Sequence, residues 1–144
     1  MRTVWFCLFG VDSQSVHRLI EEQGAQWVEQ TSRWNYPTGM KTVLYITIEA
    51  CDEEWEQRFE IEASELMAVL GGRRPDVEVS VDVSGQVLGE AEVRWLADLL
   101  LSRYEGRAFD DHQSLEHAWT LEEIQSDQMV SDARFFLGPP RPTH

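Results

Sequence analysis

The segment from Val77 to Val83 constrains the fold more than any other part of the chain. Valine occupies every second position, and Glu78, Ser80 and Asp82 lie between the valines. Successive side chains of a strand point to opposite faces of a sheet, so this pattern predicts a strand with one buried face. No nucleophile motif, metal-binding pattern or phosphate loop follows it. The segment therefore specifies a fold and hardly any chemistry.

The residues after this strand predict a long helix, a strand and a short helix. The helix spans Gly89 to Tyr104 and places Val93, Leu96, Ala97 and Leu100 on one apolar face. Arg107 to Asp110 predicts a return to the sheet as a short strand. Thr120, followed three residues later by Glu123, forms a capping box that predicts a final short helix.

The first fifty residues predict three further strands and one helix. Val4 to Phe9 is apolar on both faces, which is typical of a strand covered on two sides. Asp12 or Ser13 then begins an amphipathic helix that ends at Gly24. Residues 26–34 and 42–50 alternate in polarity, and the turn-rich residues between them predict an antiparallel pair.

The segment from Asp52 to Leu70 fits two periodicities. As one helix it aligns Trp55, Phe59, Ala63, Leu66 and Leu70 but leaves Ile61 exposed. As a strand it places its apolar residues on one face and its glutamates on the other, and a helix from Ser64 to Leu70 then follows. We favour the strand because it gives every large apolar residue a buried position. The helical alternative stays open.

Together these elements predict a single α+β domain over residues 1–137. Its sheet is mainly antiparallel, with about five to six strands and two to three packed helices, and a ferredoxin-like β-α-β-β core fits this order. A chain of 144 residues is long enough to bury its own core. The proline-rich residues 138–144 predict a flexible tail.

The charge of the chain restricts its partners. Asp and Glu number 26 against 12 Lys and Arg, which gives a formal net charge of −14. Such a chain repels phosphate backbones and anionic membranes, so we expect neither nucleic acid nor membrane as a partner. The same field favours encounter with a basic protein. We expect a monomer or homodimer.

Two features predict a cytoplasmic location. Cys7 falls inside a predicted strand and Cys51 at the end of another, and both are better explained as core residues than as a disulfide. The apolar run in the first ten residues is too short to span a membrane, and no signal cleavage site follows it.

Acidic and aromatic residues are the best candidates for contact with a partner. In the favoured strand, an exposed acidic face would offer a docking surface for Lys and Arg side chains. Trp34 and Tyr36 beside a loop are candidate aromatic anchors. The predicted partner-binding residues are Trp34, Tyr36, Glu54, Glu56, Glu60, Glu62, Asp110 and Asp111.

A second interpretation assigns chemistry to the segment that follows the last strand. Asp110, Asp111, His112 and His117 are the densest group of metal-ligating residue types. Their spacing matches no standard zinc or calcium pattern, and paired aspartates are common in turns. The main prediction is therefore no cofactor, no metal and no catalytic residue, with a small metal-binding or enzymatic domain as the alternative.

Residues 77–124 resemble a known family. The order VSVDVSG, a helix ending at Tyr-Glu-Gly, FDD and then WTLEEI is similar to the C-terminal half of small bacterial immunity proteins, including those of myxobacterial Sit-type systems. The resemblance covers about a third of the chain. It implies a small, acidic, cytoplasmic and non-enzymatic protein that binds a cognate toxin and neutralises it.

Overall fold

A six-stranded antiparallel sheet organises the computed structural model, which describes residues 2–137. The strands are β1 (Arg2–Phe9), β2 (Gln26–Val28), β3 (Arg33–Tyr36), β4 (Leu44–Ala50), β5 (Val77–Val83) and β6 (Glu105–Asp110). The helices are α1 (Ser13–Glu22), α2 (Glu53–Arg58), α3 (Glu60–Val69), α4 (Glu90–Arg103) and α5 (Leu121–Gln125). The sheet order is β2-β3-β4-β5-β1-β6, and every neighbouring pair is antiparallel.

This topology confirms the predicted α+β class. The elements β1, α1, β4, β5, α4 and β6 follow the β-α-β-β-α-β sequence of a ferredoxin-like core. The hairpin β2-β3 extends the sheet beyond β4, and α2 and α3 fill the connection between β4 and β5. The described residues contain five helices rather than the predicted two to three, because residues 53–69 are helical.

The main hydrophobic core lies on one face of the sheet. The four valines of β5 are completely buried there, opposite Val4, Phe6 and Leu8 of β1 and beneath α1, α4 and α5. Their burial confirms the predicted half-buried strand. Removing this apolar surface from water supplies the main drive for folding, at roughly 25 cal/mol per Å².

A second, smaller core lies on the opposite face. Cys7 and Phe9 of β1 and Phe109 of β6 pack there against Trp55 and Leu66 of the helical connection. Both faces of β1 are therefore covered, as the sequence predicted. The two cysteines are buried and free.

The favoured interpretation of residues 54–63 as a strand is wrong. Asp52 caps α2 by accepting a hydrogen bond from the Trp55 amide at 2.9 Å, and the chain breaks at Phe59 before continuing as α3. Both edges of β5 are already paired with β1 and β4, so no further strand can pair with it. The apolar residues on the second face of the sheet still have to be buried, and the two helices bury them. The helix leaves Ile61 71% exposed, the disadvantage anticipated for it.

The predicted strand over residues 26–34 is in fact a hairpin. A 3-10 turn over residues 29–31 and Ser32, whose φ is +51°, separate β2 from β3. Only β3 pairs with β4, with residues 34–36 opposite residues 44–46, so the predicted antiparallel pairing is confirmed at Trp34 alone of the predicted strand. Asn35 and Tyr36, which were predicted to lie in the turn, belong to β3.

The predicted caps of α1 and α5 are confirmed, whereas Ser64, the predicted start of a helix, lies inside α3. Asp12 caps α1 by accepting from the Ser15 amide at 2.7 Å, and Thr120 and Glu123 form the predicted capping box of α5. No helix within residues 2–137 has the length and apolar character needed to cross a bilayer. The predicted tail, residues 138–144, lies outside the described residues.

The outer edge of β6 is paired with another part of the chain. The Ala108 amide donates to the Trp119 carbonyl at 2.9 Å, and the Trp119 amide donates back at 2.8 Å. The opposite edge of the sheet is β2, which is only three residues long.

We predict that Gly106→Ala destabilises the protein by about 2 kcal/mol. A Cβ at position 106 would lie 2.6 Å from the Cys7 carbonyl oxygen and 2.9 Å from Leu8 Cδ2, so the paired strands β1 and β6 must shift. Gly85→Ala is the control, since its added methyl meets nothing within 4 Å. Urea denaturation measures both variants, and equal midpoints would contradict the expected clash.

Candidate functional site

A groove lies where the helical connection covers only part of the second sheet face. It has a volume of about 380 Å³ and opens between α2-α3 and the strands β1, β4 and β5. We call it the acidic groove. Its lining residues are Trp5, Glu49, Glu78 and Ser80 from the sheet, Trp55, Phe59, Glu62, Glu65 and Leu66 from the helices, and Ser114 and Leu115 from the 3-10 turn after β6.

Aromatic rings form the apolar part of the groove. Trp5 stacks on Phe109 with ring centroids 5.6 Å apart and an interplanar angle of 13°, which fixes its orientation. Trp55 is 4% exposed and packs at 6.4 Å against Phe59, which is 36% exposed at the break between the helices. These rings present faces that can receive an apolar group or a cation.

Four carboxylates surround these rings. Glu49 and Glu78 are direct cross-strand neighbours on β4 and β5, and α3 contributes Glu62 and Glu65 from the other side. Glu49 forms an ion pair with Arg58. Within residues 2–137 no Lys, Arg or His side chain pairs with the other three carboxylates.

Glu78 is the most perturbed acid of the groove. Burial, and to a lesser extent the nearby charge of Glu49, raise the pKa of its carboxyl from its ordinary value of 4.5 to about 6. At neutral pH the group is therefore mostly ionised in a place that disfavours its charge. A cation bound beside it would remove that penalty.

The predicted acidic residues separate into different environments. Glu62 lines the acidic groove, whereas Glu56 pairs with Arg74 at 3.0 Å. Glu54 and Glu60 are exposed on α2 and α3. The single acidic face expected from the strand interpretation is absent, because helical periodicity distributes these side chains around the axis.

Trp34 and Tyr36 do not belong to this surface. Both lie on the opposite sheet face, and Trp34 is 7% exposed, so the expectation of an exposed ring is corrected. The Trp34 indole donates to Nδ1 of His17 at 3.0 Å, and Tyr36 stacks on Trp95 at 4.4 Å. Both rings pack between the sheet and its helices.

Asp110 is a buried structural residue rather than a surface residue. Its side chain is completely buried and accepts hydrogen bonds from the amides of Gln113 at 2.9 Å and Phe136 at 2.7 Å. Its neighbour Asp111 is exposed and accepts from the Thr3 amide at 3.0 Å. The sequence suggested two equivalent acids, and the structure gives them different surroundings.

The alternative metal site does not assemble in the described structure. The carboxylate of Asp110 is used by two amides, and His117 bonds to the Glu123 carboxylate at 3.0 Å. Among residues 2–137 no three His, Cys, Asp or Glu side chains come together as metal ligands. No observation favours this alternative.

Sequence reasoning missed most of the acidic groove. Trp5 was assigned to an apolar strand, and Glu49, Glu78 and Glu65 were not candidates. The polar face of the alternating segment 77–83 was the available signal, because residues between buried valines must point to the other face. The cover of that face comes from α2 and α3, and the favoured interpretation replaces part of these helices with a strand.

Comparisons with protein family models, with curated proteins and with solved structures found no match.

We predict that Glu78→Gln stabilises the protein at pH 7 to 8 by about 1 to 2 kcal/mol. The pKa of Glu78 is higher in the folded state, so ionisation favours the unfolded chain; this penalty on the folded state begins above about pH 4.5 and is complete above about pH 6. Below about pH 4.5 the carboxyl is protonated in both states and the advantage of the variant disappears. Urea denaturation across this pH range measures the difference.

Glu54→Gln removes the same charge from an exposed position and is the control for net charge. A Glu78→Gln advantage that is independent of pH, or that the control reproduces, would contradict the role assigned to burial of this carboxyl.

We predict that Asp110→Ala destabilises the protein by about 3 kcal/mol, because two amides lose a charged acceptor. Asp111→Ala should cost less than about 1 kcal/mol, since the exposed Thr3 amide can bond to water. Thermal unfolding of both variants tests the distinction, and equal losses would argue against it.

Proposed function

We propose that this chain is an immunity protein that binds a cognate bacterial toxin through the acidic groove and neutralises it without catalysis. The observation that carries the proposal is the groove itself, in which three carboxylates that have no cationic partner among residues 2–137 lie beside aromatic rings. Such a surface suits a basic segment of another protein. The proposal includes a cytoplasmic location.

Charge complementarity supports a basic partner. The net charge of −14 speeds the encounter with a positively charged protein, and the groove offers that protein a defined place to bind. Desolvated aromatic and charged residues at the centre of an interface contribute most of its affinity. Phe59 in the groove lining and Ile61, exposed on α3, add apolar area for contact.

The resemblance of residues 77–124 to Sit-type and related immunity proteins supports a toxin as the partner. This segment includes β5, which carries Glu78 into the groove. The motifs of the resemblance are structural, so the binding residues are inferred from the groove alone. Neutralisation would follow if the bound chain covered the toxin's active site or substrate groove. A basic toxin surface that binds a polyanion would also bind this acidic chain.

The first test is co-expression with the protein encoded immediately upstream. Host survival in the presence of that protein, together with copurification through a tag on this chain, would support the immunity role. A harmless neighbour that forms no complex would argue against it.

A paired charge reversal tests whether the groove is the binding surface. We predict that Glu62→Lys with Glu65→Lys abolishes protection and weakens the complex at least about tenfold, because both side chains line the groove. Glu53→Lys with Glu54→Lys makes the same change in net charge on exposed positions of α2 outside the groove lining, and should retain protection. Equal loss in both pairs would indicate that only net charge matters.

A further inference from the structure

We propose that the acidic groove receives one arginine side chain of the partner, with its guanidinium group placed between the aromatic rings and the carboxylate of Glu78. The inference rests on the proposed function for the source of the arginine, but the groove's chemistry can be tested without the toxin. It names a single residue type as the centre of recognition.

The charges of the groove require a cation. Glu78 faces Glu49 across the β4-β5 pair, and Glu62 and Glu65 approach from α3. Only Glu49 has a cationic partner within the described residues, and that partner is Arg58. Like charges opposite each other in a sheet are destabilising, so a guanidinium between them would be bound strongly for its size.

At the rim of the groove, Arg58 of the chain itself makes a contact of the proposed kind. Arg58 places its guanidinium carbon 4.8 Å from the centre of the Phe59 ring while it pairs with Glu49. Both of these partners line the groove. Further in, Trp5, Trp55 and Glu78 line the same groove, and no arginine among residues 2–137 is paired with Glu78.

The groove is large enough for one long side chain, and its chemistry favours arginine over lysine. Its volume of about 380 Å³ lies near the lower end for pockets that hold small molecules, about 300 to 1,000 Å³. A planar guanidinium can stack on an aromatic face and still donate two hydrogen bonds to a carboxylate, whereas a lysine ammonium is a strongly hydrated point charge.

A blocked tripeptide, acetyl-Gly-Arg-Gly-amide, is the probe for the isolated full chain. Titration is followed by NMR through the indole N–H signals of Trp5 and Trp55, with acetyl-Gly-citrulline-Gly-amide as the uncharged isostere. We expect saturable shifts of both signals with a dissociation constant on the order of 1 mM. The citrulline peptide should produce none, and the matching lysine peptide should bind more weakly.

Variants locate the site. Glu78→Gln should weaken the arginine probe about tenfold, whereas Glu54→Gln, on the exposed surface of α2, should leave it unchanged. The inference is overturned if the arginine probe gives no saturable shift, if citrulline or lysine binds equally well, or if Glu78→Gln has no effect.

Failure of this inference can be separated from failure of the proposed function. Probe binding without rescue or complex formation would retain the arginine site and remove the toxin as its source. A stable protective complex whose affinity is unchanged by Glu78→Gln would retain the immunity role and overturn the arginine site.

Discussion

The pairing of β5 with both β1 and β4 is the constraint on which the structure depends. Its valines close the main core, so Glu78, Ser80 and Asp82 must point to the other face at the middle of the sheet. That polar strip prevents a complete second core. The helices α2 and α3 can bury apolar area only near β1 and β6, and the groove lies where their cover ends.

The acids in and around the groove differ in whether an arginine neutralises them. At the periphery of the groove Arg58 balances Glu49, and outside the groove lining Arg74 balances Glu56. The more deeply placed Glu78 has no such balance in the described chain, and burial works against its charge. A fold selected for stability alone would more readily place a neutral residue at this position, and such local conflicts are typical of binding surfaces.

The fold was predictable wherever local sequence allows one solution. The alternation of Val77 to Val83, the apolar face of α4 and the Thr120 capping box each admit a single interpretation, and each was confirmed. Residues 52–70 satisfy two periodicities, and the choice between them depends on which sheet edges are free and which face needs cover. That information is non-local.

The site was less predictable for the same reason. It brings together Trp5, Glu49, Trp55 and Glu78, which come from three strands and a helix. No spacing along the chain records this proximity. Glu62 was predicted, although from a strand rather than from the helix that carries it, while Trp34 and Asp110 were selected for residue type and proved to be buried.

The edges of the sheet limit how another protein can approach it. At β6 the hydrogen-bonding groups of Ala108 already meet those of Trp119, and at the other end β2 offers only a three-residue stretch of backbone. A peptide that sought to add itself as a new strand would find few main-chain partners on these two edges, and so would a second copy of the chain. A partner that binds this chain would therefore contact mainly side chains on the faces of the sheet. Those side chains are specific to the sequence, whereas backbone pairing is not.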